Sequence, residues 1–290
     1  MKRTALVLLL TITLGACGRE EPSWIAYPKG ENDRVLSVLS TGGFTNPGDN
    51  LSDAPTFILY GDGRFLSQVY RDPSLPQAIP EIVVRRISAE GIQAILSAAK
   101  AAELFGPEAD FGPALATDVS TTYFQLQADG RLHIKSVYAL FTTFGQYPVD
   151  WEARRRRLAV QAFYERMFDL EGWMPEGSVG KPEALGFERF LLFADDEGSL
   201  QDPDSPIPPA WPLPIPLNEM PASEAGSSTR CTVLSEDELD VLRGSHPATG
   251  VSPSWSSSGR TFLTFLRPLL PGETDCHSVE AARPQSRESN

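Results

Sequence analysis

The stretch Leu59-Tyr60-Gly61-Asp62-Gly63-Arg64-Phe65-Leu66 sets two apolar, strand-forming runs on either side of Gly-Asp-Gly. Asp-Gly supplies the positive φ angles that a tight reversal needs, so residues 55–70 are predicted to be a β-hairpin, with Arg64 opening the return strand. Leu126-Gln127-Ala128-Asp129-Gly130-Arg131-Leu132-His133-Ile134 repeats Asp-Gly-Arg between apolar runs and predicts a second hairpin. In its return strand Leu132 and Ile134 are expected to face the core, with Arg131, His133 and Lys135 facing water.

A helix is predicted between the hairpins, from Ser88 as N-cap, with Ile92, Ile95, Leu96 and Ala99 on one face and Ile87 stapled to Ile92. A second helix is expected from Trp151 to about Leu170, turning Leu158, Phe163, Met167 and Leu170 inward. The third quarter repeats the order in blurred form. Residues 187–201 resemble the first hairpin, Leu234-Ser235-Glu236-Asp237-Glu238-Leu239 has capping-box and staple spacing, and Gly259-Arg260 again sits between strand-like runs. The fold class expected is α+β: antiparallel hairpins packed with a few helices, read as two similar hairpin-helix-hairpin modules covering 34–178 and 183–278. Residues 279–290 read as a disordered tail.

Eight prolines fall between 203 and 221. The segment 202–222 is therefore expected to be an extended strap, with Trp211, Leu213 and Ile215 as candidate partner contacts. A strap packed across its own domain is the commoner use of such a segment, and the surface it leaves exposed is where a non-enzymatic contact is expected.

The chain begins MKRTALVLLLTITLGACGREEP, with a basic start, an apolar run from Ala5 to Leu14, and Leu14-Gly15-Ala16 ahead of Cys17. The run is too short to span a bilayer as a helix. Leu14-Gly15-Ala16-Cys17 resembles the lipobox of bacterial lipoproteins. That resemblance implies removal of residues 1–16 and lipidation of Cys17, with residues 17–33 as a tether. "LYGDGR", "ADGR" and "RPLLPGE" also resemble uncharacterised exported lipoproteins, a likeness that transfers no catalytic residues. Acyl chains on Cys17 imply an exported protein held at the bacterial membrane, facing the periplasm or exterior.

Of the three cysteines, assigning Cys17 to lipid leaves Cys231 and Cys276, an even pair expected to form a disulfide in an oxidising compartment. The net charge of −13, two units more negative without Lys2 and Arg3, argues against nucleic acid as a partner. An envelope protein or cell-wall component fits better. The motifs ask for no cofactor and no metal. Asp195-Asp196-Glu197 with Asp202 and Asp204 departs from the EF-hand template, and Arg154 to Arg157 are expected to pair internally.

The leading expectation is a non-catalytic, membrane-anchored binding or scaffold protein. The alternatives are an exported hydrolase, with scattered carboxylates and His133 or His246, and a small-ligand carrier with a cleft between modules.

Overall fold

The computed structural model describes residues 24–69, 79–107, 110–112, 116–142, 150–198, 208–223, 228–245 and 254–284. Cys17, with residues 1–16, and His246 lie outside the described residues.

The fold is α+β, with five α-helices and two antiparallel sheets among the described residues. In chain order the elements are β1 (Arg34–Thr41), α1 (Pro47–Ser52), β2 (Phe57–Tyr60), β3 (Arg64–Gln68), β4 (Ile82–Arg86), α2 (Ala89–Ala101), β5 (Thr121–Ala128), β6 (Arg131–Tyr138) and α3 (Trp151–Arg166). After them come β7 (Glu183–Ala184), β8 (Arg189–Gly198), β9 (Thr229–Ser235), α4 (Glu236–Ser245), β10 (Ser254–Ser257), β11 (Arg260–Pro268) and α5 (Cys276–Ala282). One sheet runs β6-β5-β1-β2-β3-β4-β7 and the other β10-β11-β8-β9.

Both Asp-Gly stretches are hairpin turns. The first loop holds three residues, and only Gly63 takes positive φ (+90°). The second is a two-residue turn with both Asp129 and Gly130 at positive φ, as its closer strand pairing requires. Ser88 accepts from the Gly91 amide and caps α2, while Ile87 and Ile92 are both buried. Ser235 and Glu238 exchange hydrogen bonds as a capping box for α4. Helices α2 and α3 cover one face of the larger sheet around Phe57, Ile95, Phe124 and Val160.

Several expectations give way. Strand β6 is in the opposite phase: Lys135 and Val137 are buried, while Leu132 is 58% and Ile134 43% exposed. The reason is the aliphatic stem of Lys135, which runs inward so that Nζ donates to the carbonyls of Gly106 and Pro107 beyond α2. On α3 the inward stripe is Ala153, Arg157, Val160, Phe163 and Met167, which leaves Leu158 51% exposed. Arg157 takes the inward place because its guanidinium donates to the carbonyls of Phe111, Gly112, Tyr138 and Ala139.

Residues 189–198 form the single strand β8, not a hairpin. The connectivity also differs between the halves. The first strand after α2, β5, pairs with β1, whereas after α4 it is the second strand, β11, that pairs with β8.

The module boundaries are crossed in both directions: β7 pairs with β4, and Leu51 of α1 packs into the core under β8 and β11. The tail boundary moves as well. Residues 276–282 are helical, Val279 is buried, and Arg283 donates to the carbonyls of Leu51 (2.8 Å) and Asn50 and to the Thr41 hydroxyl (2.9 Å).

Candidate functional site

The disulfide pair is brought together as expected: Cys231 on β9 is bonded to Cys276 at the start of α5, closing a separation of 45 residues. The chain-entropy effect of such a loop is about 4 kcal/mol. The bridge fixes α5 over the face of β8, β9 and β11 formed by Leu191, Phe193 and Phe265.

The proline strap behaves as part of the fold. At one edge of the smaller sheet Trp211 donates its amide to the Ser256 carbonyl and Ser256 donates to Pro209, and at the other edge Cys231 donates to Pro221 and Ser223 to Thr229. The strap thus runs from β10 to β9 and bonds to part of each edge strand, at Ser256 and at Thr229 and Cys231, where an open edge otherwise invites pairing with other chains. Between these edges Leu217 and Met220 are buried, with Trp211 and Leu213 packed beside them against Trp255, Phe262 and Leu242. The Trp211 and Trp255 rings meet edge to face at 5.4 Å. Of the three candidate contacts, only Ile215 is turned outward, at 58% exposure.

"LYGDGR" and "RPLLPGE" meet at the junction of the two sheets. The Tyr60 hydroxyl donates to the Pro271 carbonyl (2.9 Å), and Leu270 packs with Ile58, Tyr60 and Leu66. Arg267, almost wholly buried, donates to both carboxylate oxygens of Glu273 (2.9 and 2.7 Å), and Arg34 adds a third bond (2.8 Å). Removing one partner of such a buried pair leaves an uncompensated charge. Nearby, the Asp195 carboxylate accepts from the Gly48 amide (2.7 Å) and the Thr229 hydroxyl, and Asp196 pairs with Arg260. These acids hold strands and α1 together, and no group of three metal-ligating side chains exists among the described residues.

On the helical side a pocket of about 540 Å³ is lined by Lys100, Glu103, Phe105, Asp110 and Arg156 among others. Two of its charged residues serve the fold: Glu103 accepts from Arg156 (3.1 Å), and also from Arg155 (2.6 Å), joining α3 to the turn after α2. This is the internal pairing expected of the arginine run. Next to it the His133 ring lies 5.1 Å from Phe105, and its Nε2 has no hydrogen-bond partner among the described residues. His277 is exposed on α5 at the other sheet. His133 and His277 are therefore not brought into one cluster with carboxylates.

Sequence reasoning missed the treatment of residues 24–33. Far from floating as a tether, Ile25 is buried in the main core; its amide donates to the Gln93 side chain (2.8 Å), and the Gln93 amide returns a bond to its carbonyl (2.9 Å). Ala26 and Asp129 exchange bonds in the same way, through the Asp129 side chain (3.1 Å) and backbone amide (2.7 Å). Trp24, 62% exposed, stands just outside this clasp. The apolar Trp24, Ile25 and Tyr27 in an otherwise polar segment were the available signal.

Comparison with known proteins found no matching family model, no matching curated protein and no matching solved structure.

Proposed function

We propose that the chain is an exported envelope lipoprotein, anchored through lipid on Cys17, whose rigid body serves as a non-catalytic scaffold or binding unit for an envelope protein or cell-wall component. The observation that supports this most is the Cys231–Cys276 disulfide. It accounts for two of the chain's three cysteines and suits an oxidising compartment, leaving the cysteine after Leu-Gly-Ala free for lipid. No helix among the described residues is long and apolar enough to cross a membrane.

The direct test is metabolic labelling with a fatty-acid analogue, followed by fractionation. Wild-type protein takes up label and sediments with membranes, and Cys17→Ser does neither. Under denaturing, non-reducing conditions the mature protein presents no thiol to alkylation. Label persisting in Cys17→Ser, or a reactive thiol in the mature wild type, would defeat the reading.

A further inference from the structure

The polypeptide enters the body beside the tip of the β5–β6 hairpin. Ala26 is bonded to Asp129 in the turn, and Ile25 to Gln93 on α2, so the path of the chain is fixed from Ile25 onward. Only seven peptide steps separate Cys17 from Trp24, a reach of at most about 25 Å when fully extended. A body of this many residues measures roughly 45 Å across. With lipid on Cys17, the tether is too short for the body to turn its far side to the bilayer.

The end nearest the anchor carries the side chains that suit such a neighbour. Trp24 is exposed at the point of entry, and Leu132 and Ile134, the second and fourth residues of β6, stand exposed on the sheet face opposite α2 and α3. Strand β6 is the terminal strand of its sheet, and the residues opposite Leu132 and Ile134 are Gln127 and Gln125. A narrow apolar stripe bordered by amides matches the level of the headgroups rather than the hydrocarbon interior. Tryptophan has the same preference for the interface. Asp129 in the turn and Arg131 at the start of β6 carry opposite charges, so this pair adds no net charge at the tip.

We propose that this end of the body rests on the bilayer that holds the anchor, with Trp24, Leu132 and Ile134 seated at headgroup level. The proposal rests on lipidation of Cys17. The short tether supplies a high local concentration of lipid surface, so a contact too weak to bind membranes alone still sets the orientation. The strap, at the smaller sheet, is then carried away from the anchored edge strand.

The test uses the full lipidated chain in phosphatidylcholine vesicles, with a nitroxide attached at Leu132→Cys and, in a separate protein, at Val241→Cys on α4. Lipid-soluble oxygen should relax the label at 132 more strongly than a water-soluble nickel chelate, with the reverse at 241. Water-like behaviour at 132, in protein that still floats with the vesicles, overturns the orientation and leaves the anchor standing. A label at 132 shielded from both relaxants, in vesicles and in detergent alike, overturns it in favour of a second copy pairing along β6. Failure of the unlabelled wild type to float removes the anchor and this proposal together.

Discussion

Gly63 and Gly130 follow the aspartates of the two hairpin turns, yet they differ in what surrounds them. A Cβ on Gly63 would stand 2.5 Å from the Ile87 carbonyl oxygen, whereas one on Gly130 meets nothing within 4 Å. The Ile87 amide also donates to the Gly63 carbonyl (2.8 Å), so the turn is tied to the residue just ahead of the α2 cap. Gly130→Ala should cost only the left-handed backbone strain, about 1 kcal/mol. Gly63→Ala adds displacement of a backbone carbonyl and should cost about 3 kcal/mol. Urea unfolding of both variants checks the ranking; equal costs would show that the 63–87 tie yields freely. Asp-Gly was legible as a turn in both places, but this difference was not, because Ile87 is distant in sequence.

Among the elements, the strap has the clearest energetic role. It covers one face of a four-stranded sheet and bonds to both edge strands, so its prolines serve by holding an extended path at low entropic cost. Trp211 anchors that path through Trp255 and through its indole N–H, which donates to the Ile215 carbonyl (2.9 Å). Trp211→Ala should therefore lower stability by about 2 kcal/mol, less than a fully buried tryptophan because the ring is only partly covered. Ile215→Ala, on the outward side, should change stability by less than about 0.5 kcal/mol. Thermal unfolding distinguishes the pair, and a neutral Trp211→Ala would restore the strap as a free contact surface. The prolines announced an extended segment; which side of Trp211 was buried depended on a sheet assembled from β8 to β11.

The two sheets behave as one body because charged and apolar groups cross their junction, and this makes stability depend on pH. Asp53, just after α1, is faced by the Thr41 hydroxyl and by Arg283, Arg267 and Asp49; burial outweighs the cations and pushes its carboxyl up to about 6 from an ordinary 3.8. A carboxyl whose folded pKa exceeds its unfolded one stabilises the fold while protonated. That contribution is complete below about pH 4 and is lost as pH rises through about 6, amounting to at most about 3 kcal/mol. Asp53→Asn should therefore flatten the fall in Tm between pH 4 and pH 7 relative to wild type. An unchanged slope would assign the titration to other groups. Comparing the two proteins cancels the general self-repulsion of an acidic chain, which acts in the same direction.

Local chemistry was enough for the sequence to determine the hairpin turns, the caps and staples of α2 and α4, the α+β class and the cysteine pair. Each depends on residues a few positions apart or on simple parity of cysteines. The phase of β6, the outward turn of Leu158, the helical residues after 275 and the docking of Ile25 were decided by tertiary structure. In each case a partner distant in the chain, such as the carbonyls after α2 for Lys135 or Gln93 for Ile25, supplied the bond that local pattern could not contain. The resemblance between halves fails for the same reason: pattern records the order of elements, while strand neighbours are chosen by which faces remain to be buried.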